Sequence, residues 1–161
     1  MCFDIGVVPM VIEAHPTIHA SAVLVGPHAL LIQGPPGSGK SRLALALMDA
    51  ADAGLLKFAR LVADDRAVIE SVHGRLLVRP ALALAGLIEV RGLGIRQVAY
   101  EPVAVAGMIV ELSAADGSRL PQTASMEGAI SGIRLPRLAV ASSVEPLPLV
   151  LAALRTARAI P

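Results

Sequence analysis

A glycine-rich segment of eight residues has the spacing of a phosphate-binding loop, the Walker A pattern GxxxxGK[ST]. Glycines let the backbone curl so that successive N–H groups point at phosphate oxygens, and a helix that follows adds its positive N-terminal end. Lys40 is expected to reach the β- and γ-phosphates, and the Ser41 hydroxyl to ligate Mg²⁺. The predicted binding residues are Gly34, Pro35, Pro36, Gly37, Ser38, Gly39, Lys40 and Ser41.

The elements on either side of this loop are the ones that such a site needs. A short apolar run, Ala29–Gln33, precedes the loop, and Ser41–Ala53 has the leucine and alanine pattern of a helix. The alternative is a flexible Gly/Pro surface loop. The chain has only two lysines, Lys40 and Lys57, and one of them lies in the motif. Strand, loop and helix together favour nucleotide binding over the surface loop.

Two adjacent carboxylates follow a predicted strand, Arg60–Ala63. Asp64 and Asp65 lie where this strand ends, so both can reach one cleft although neighbouring strand residues point to opposite faces. One could hold Mg²⁺ and the other could take a proton from a substrate hydroxyl. The alternative is a solvated turn before Arg66. A phosphate loop creates the need for an acid, which favours the functional interpretation.

Three further residues are candidates, each with an ordinary structural alternative. Glu89 alternates with apolar neighbours and could occupy an exposed strand face, but Gly92 and Gly94 after it permit close backbone approach to a ligand. His19 precedes the first predicted strand, and a surface histidine is the default interpretation. Arg119 could contact phosphate, but a solvated arginine is the default interpretation.

Composition excludes several other classes of function. The chain has 161 residues, of which 55% are hydrophobic, 17% charged and only 2% aromatic, with a net charge of +1. No strong field draws it to nucleic acid or to an acidic membrane, and aromatic platforms for base stacking are absent. Its apolar runs are far shorter than the 18 or so residues of a membrane span. One cysteine, Cys2, and no signal-like start predict a cytoplasmic protein.

The predicted elements describe a single mixed α/β domain rather than a regular βαβ alternation. Residues 1–16 are predicted to be an N-terminal lead-in, and residues 17–161 to be the domain. Strand predictions outnumber helix predictions. The predicted strands and hairpins are Ala22–Gly26 with Ala29–Gln33, Arg60–Ala63, Ala67–Ile69 with Arg75–Val78, Leu87–Val90, Val103–Leu112 and Ile133–Ala141. The predicted helices are Ser41–Ala53, a short segment Ala81–Ala85 and a closing helix Pro146–Ala159.

Taken in order, these motifs resemble the C-terminal catalytic domain of the HPr kinase/phosphorylase family, in its short alphaproteobacterial form. The similarity runs over about residues 17–140 and is carried by Ile18-His19, Gly34–Ser41, Leu61–Asp65 and Leu87–Ile95. The string Glu89–Ile95 is the most specific of these. The resemblance implies a P-loop fold related to phosphoenolpyruvate carboxykinase, with a mixed sheet and few helices.

The resemblance also implies an activity and a set of site residues. Members of this family transfer phosphate from ATP, or in some cases from pyrophosphate, to a serine of the carrier protein HPr, and many remove it with inorganic phosphate. By motif match, Lys40 stabilises the transferring group, Asp65 is the base, and His19 and Arg119 are catalytic residues. Ser41, Asp64 and Glu89 serve Mg²⁺.

Other outcomes stay open at this point. The stretch Ile133–Leu138 lacks the glycine and asparagine of the family loop that is linked to dephosphorylation. Phosphorolysis therefore stays open, as does assembly into a homo-oligomer. The alternative function is a nucleotide-binding regulator of the phosphotransferase system with little or no catalytic activity. A small-molecule kinase is a third hypothesis, which the absence of an evident lid or second substrate domain disfavours.

Overall fold

A computed structural model describes residues 15–156 of the chain. Within this range the chain forms eleven β-strands, two α-helices and two short 3₁₀ turns at Leu82–Leu84 and Thr123–Met126. The strands are β1 (Thr17–Ile18), β2 (Ser21–Val25), β3 (His28–Gln33), β4 (Ala59–Ala63), β5 (Ala67–Val72), β6 (Arg75–Pro80), β7 (Leu87–Val90), β8 (Gly94–Gln97), β9 (Ala104–Leu112), β10 (Glu127–Ile130) and β11 (Ile133–Val140). The helices are α1 (Lys40–Asp52) and α2 (Pro146–Arg155).

Nine of these strands form one mixed sheet. Its main path runs β1-β5-β6-β9-β3-β2-β4, with β11 beside the C-terminal half of β9 and β10 paired to β11. Strands β3, β9 and β11 run parallel, and β4 shares their direction because β2 is antiparallel to both β3 and β4. The carboxyl ends of β3, β4 and β9 therefore lie at the same edge of the sheet, which is where this fold builds its site.

Alternating strand residues divide the core into two layers, one on each face of the sheet. Leu31 and Val62 face one layer, whereas their neighbours Ile32 and Leu61 face the other, as the two-residue period of a strand requires. The second layer also contains Leu47 of α1, so the helices cover that face only. Aliphatic packing alone fills both layers, in agreement with the scarcity of aromatic residues. The separate two-stranded sheet of β7 and β8 packs beside α1.

Most of the predicted elements are confirmed, including the β2–β3 and β5–β6 hairpins and the helix after the glycine-rich loop. The predicted closing helix is too long, because it ends at Arg155 and Thr156 is already extended. Residues 157–161 lie outside the described part of the chain, as do residues 1–14 of the predicted lead-in. The sequence did not indicate β1, β8 and β10, which are short and gain their order from pairing with β5, β7 and β11. No helix in residues 15–156 is long and apolar enough to cross a membrane.

Candidate functional site

The glycine-rich loop joins the carboxyl end of β3 to the first residue of α1. Gly39, which caps the helix, has φ 96°, and Gly34 has φ 149°, both conformations that side chains rarely adopt. A Cβ on Gly34 would lie 2.9 Å from the carbonyl oxygen of Leu112, at the end of the neighbouring strand β9. The loop therefore passes so close to β9 that Gly34 cannot be replaced without moving backbone.

The Lys40 side chain lies within the loop. Its Nζ donates hydrogen bonds to the carbonyl oxygens of Gly34, at 3.0 Å, and Pro35, at 3.2 Å, and the residue is only 7% exposed. Within residues 15–156 this ammonium group is held by two carbonyls and has no carboxylate partner. Its charge is consequently available to an anion in the loop. The Ser38 hydroxyl is also buried there, and no described residue hydrogen-bonds to it.

The carboxylate of Asp64 accepts several hydrogen bonds, one of them from Ser41, the last residue of the glycine-rich motif. Asp64 is 5% exposed and accepts hydrogen bonds from Ser21 Oγ at 2.6 Å, from Ser41 Oγ at 2.8 Å and from the Glu89 backbone N–H at 3.2 Å. These donors come from β2, α1 and β7, so one carboxylate joins three elements. A charged acceptor with three donors is well compensated for its burial.

Asp65 points the other way because the chain makes a tight turn at this residue. The Arg66 N–H donates to the Asp64 carbonyl at 2.7 Å, and Asp65 between them has φ 63°. This is a γ-turn with positive φ, a rare and strained conformation. The turn separates the two carboxylates, so that Asp64 is buried against Ser41 whereas the Asp65 side chain is 69% exposed in the cavity.

His19 lies beside Asp65 because of strand pairing. β1 pairs with β5 so that Ile18 is opposite Ala67, which brings the next residue of the first strand to the turn that precedes β5. His19 Nδ1 is 3.2 Å from Asp65 Oδ1, and half of the histidine side chain is exposed. The two side chains can exchange a proton or form an ion pair when the imidazole is protonated.

These residues surround a cavity of about 550 Å³, a size typical of small-molecule sites. His19, Lys40, Ser41, Asp65 and Glu89 all line it, so the structure brings together most of the residues predicted from sequence. Lining residues that sequence reasoning missed are Arg42, Leu45, Val90 and Arg91. The sequence offered one signal for these four residues, which is that they follow Lys40 or Glu89 closely along the chain.

Structure and sequence reasoning also differ at Ser21 and Arg119. Ser21 is fully buried against Asp64, and no local pattern marks it. Arg119 is exposed on the segment after β9 and does not line the cavity, so the structure does not bring it to the other predicted residues. Its predicted catalytic role stays a prediction.

The donor set fits Mg²⁺ only together with a ligand. The described residues contain no cluster of three or more His, Cys, Asp or Glu side chains that could hold a metal by itself. Ser41 and Asp64 are in contact, and Glu89 lines the same cavity. Mg²⁺ commonly uses one or two such oxygen ligands together with substrate phosphates. The oxygens present therefore suit a metal that arrives with a phosphate group.

Known proteins are similar to this chain in sequence and in fold. Two curated relatives, each named HPr kinase/phosphorylase, come from Clostridium beijerinckii and Clostridium tetani, and each is 38% identical over 78 residues. That segment is 48% of this chain but only 24% and 23% of the relatives, so the match spans about a quarter of their length. The solved structure of the Hpr(Ser) kinase/phosphatase from Coxiella burnetii has the same fold. Its TM-score is 0.68 at 24% identity, covering 86% of this chain and 87% of that one.

The family assignment rests on a match that includes the loop, the acid pair and the Glu89 segment. The family model of the HPr serine kinase C-terminal domain matches residues 12–101, more than half of the chain. Every residue of the cavity described above falls within that range. The chain therefore belongs to the HPr serine kinase C-terminal domain family.

Proposed function

We propose that this protein is a Mg²⁺-dependent kinase that transfers the γ-phosphoryl group of ATP to a serine of an HPr-type carrier protein. The observation that carries the proposal is the placement of the exposed Asp65 carboxylate, paired with His19, in the same cavity as Lys40. A proton acceptor and a phosphate-binding cation within one cavity are what phosphoryl transfer to a hydroxyl requires.

Each residue has a distinct part in the proposed transfer. The loop N–H groups and Lys40 hold the phosphates and offset their charge. Asp65 accepts the proton of the serine hydroxyl as the new oxygen–phosphorus bond forms and the bond to the leaving ADP oxygen breaks. His19, 3.2 Å away, orients that carboxylate and shares its proton.

The metal site is part of this proposal. Ser41, Asp64 and Glu89 would hold Mg²⁺, which when bound neutralises charge on the phosphate oxygens. Ser21 of β2 positions the Asp64 carboxylate by donating a hydrogen bond to it. Phosphorolysis, in which inorganic phosphate removes the phosphoryl group and releases pyrophosphate, would use the same residues with Asp65 as the acid. The cytoplasmic location and a homo-oligomeric state remain predictions.

The test is phosphorylation of HPr by the purified protein with ATP and Mg²⁺, measured as phosphoserine by mass spectrometry. Asp65→Asn is expected to retain ATP binding but lose transfer by a factor of about 100 or more, the usual contribution of a general base. Lys40→Ala is expected to lose both binding and transfer. Asp49→Asn, an exposed acid of α1 outside the cavity, is the matched control and should retain both.

The outcomes separate a kinase from the alternative, a nucleotide-binding regulator. The matched segment is 24% of the relative from Clostridium beijerinckii, so the activity of that whole protein does not carry over to this chain, and the regulator stays a candidate. ATP binding that depends on Lys40, without phosphoserine on HPr under conditions in which a full-length relative works, would refute the kinase and support the regulator. Transfer that is unaffected by Asp65→Asn would refute the assigned base.

A further inference from the structure

One end of the cavity carries an ion pair that neither phosphate binding nor proton transfer uses. Arg42 follows Ser41 in the first turn of α1, and its Nη2 is 3.0 Å from Oε2 of Glu145, the residue that caps α2. The two side chains are 72% and 63% exposed. An ion pair this exposed is weak, because it shifts the equilibrium between paired and separated side chains by at most about fivefold. A ligand can therefore take Arg42 from Glu145 at little cost.

The floor beside Arg42 is apolar. Leu45 lies three residues further along α1, on the same face of the helix, and Val90 of β7 also lines the cavity. Both pack against the core layer that the helices cover. Leu45 and Val90 form an apolar strip of the cavity lining. Two guanidinium groups, those of Arg42 and Arg91, belong to the same lining.

Arg42 and Asp65 belong to different sides of the site. Glu145, the partner of Arg42, follows β11, whereas Asp65 follows β4, and these two strands lie on opposite sides of β3, the strand that leads into the loop. Asp65 and His19 mark the end at which the acceptor hydroxyl must lie, and Lys40 marks the β- and γ-phosphates between. What remains of the cavity lining is the strip with its two arginines. A flat aromatic base stacks well on a planar guanidinium group. The cavity lining contains no Phe, Tyr or Trp, and its imidazole, that of His19, is paired with Asp65. Away from Asp65, the planar groups that the lining offers to a base are therefore those of its arginines.

We infer that Arg42 is a specificity-determining residue that leaves Glu145 to stack on the base of the phosphoryl donor, so that the site selects a nucleoside triphosphate over pyrophosphate. This inference rests on the proposed function for the direction of the donor in the cavity. Pyrophosphate has no group to contact Arg42 or the apolar strip. Pyrophosphate is therefore held by the loop alone, whereas ATP is held by the loop at its phosphates and by Arg42 and the apolar strip at its base.

The experiment measures the affinities of the full chain for ATP and for pyrophosphate, both with Mg²⁺, by isothermal titration calorimetry. Base stacking of this kind changes affinity by about 5- to 150-fold. Arg42→Ala is therefore expected to lower the ratio of ATP affinity to pyrophosphate affinity at least fivefold. Arg42→Lys keeps the charge without the planar group, and the ratio should fall similarly. Arg96→Ala removes an exposed arginine of β8 that does not line the cavity and should leave the ratio unchanged.

Two results would overturn the inference. A ratio that Arg42→Ala leaves within twofold of the wild type means that Arg42 does not contact the base, and a ratio that Arg42→Lys restores means that only its charge matters. Equal affinities of the wild-type protein for pyrophosphate and ATP would also overturn the inference. Failure of the proposed function looks different, because the ratio would still respond to Arg42 although HPr acquires no phosphoserine.

Discussion

Replacing Ser21 by alanine removes the shortest hydrogen bond to the Asp64 carboxylate. The Ser21 hydroxyl donates to Asp64 Oδ1 at 2.6 Å, and the two residues are 0% and 5% exposed. A hydrogen bond to a charged group contributes about 1.5–3 kcal/mol to stability. The remaining donors, Ser41 Oγ and the Glu89 N–H, already bind the carboxylate at 2.8 Å and 3.2 Å, so neither can take the place of Ser21. The site is also buried, so solvent does not replace the lost donor.

We therefore expect Ser21→Ala to lower the free energy of unfolding by about 2 kcal/mol, which corresponds to a fall in Tm of about 4–8 °C for a chain of this size. Urea unfolding followed by far-UV circular dichroism is the suitable assay, because the chain has no tryptophan and one tyrosine. Ser125→Ala is the matched control. Its hydroxyl donates to the Gln122 carbonyl at 2.7 Å in an exposed turn, so its loss should change stability by less than about 0.5 kcal/mol.

A second comparison tests the cause as well as the size of the effect. In an Asp64→Asn background the charge is gone, so Ser21→Ala should cost at least about 0.5 kcal/mol less than it does in the wild type. If the two substitutions are additive, or if Ser21→Ala is as mild as Ser125→Ala, Ser21 does not stabilise the carboxylate. The assignment of Ser21 as the residue that positions Asp64 would then be wrong.

Three further changes have defined outcomes. Asp65→Gly should be more stable than Asp65→Ala by about 1 kcal/mol in urea unfolding, because φ 63° costs a residue with a Cβ about that much; equal stabilities would contradict the strained turn. The hydrogen bond from Arg137 holds the pKa of Asp116 below its ordinary value of 3.8, so the pair stabilises the fold above that pH and the stabilisation is lost as the pH falls below it. In Asp116→Asn the free energy of unfolding should consequently depend less on pH between about 5 and 2, and an unchanged dependence would exclude this pair as its source. Leu47→Ala, at a fully buried position between α1 and the sheet, should lower the free energy of unfolding by about 2–5 kcal/mol, and a loss below 1 kcal/mol in the same assay would mean that this layer is loosely packed.

Local sequence was sufficient for the elements that hold the phosphate loop. The helix after Lys40 and the β2–β3 hairpin are encoded by residues close to one another along the chain: an apolar pattern in the first case, and Gly26 and Pro27 between two apolar runs in the second. The acid pair was also found from its place at a strand end. That one acid is buried and the other exposed could not be predicted, because the γ-turn at Asp65 joins two strands with different partners: β4 pairs with β2, and β5 pairs with β1 and β6.

Contacts between distant parts of the chain account for what was missed. Ser21 and Asp64 are 43 residues apart, and Arg42 and Glu145 are 103 residues apart. Strand β10 is short and half exposed, so its own residues give little signal, and its pairing with β11 alone defines it. The predicted closing helix was extended beyond Arg155 because an alanine-rich sequence has no strong stop signal there.

The sequence by itself determined the chemistry that this protein has available: a glycine-rich loop with the Walker A spacing that includes Lys40 and Ser41, an acid pair, and an aliphatic core with few aromatic residues. Those features are local or compositional, so they can be recognised before the fold is known. Only the tertiary structure decided which acid faces the cavity, which serine supports the other, and that Arg42 and Leu45 complete one end of it. The physical reason is strand register, since the direction of β4 and the pairing of β1 with β5 bring Asp65 and His19 together, and no local pattern specifies that register.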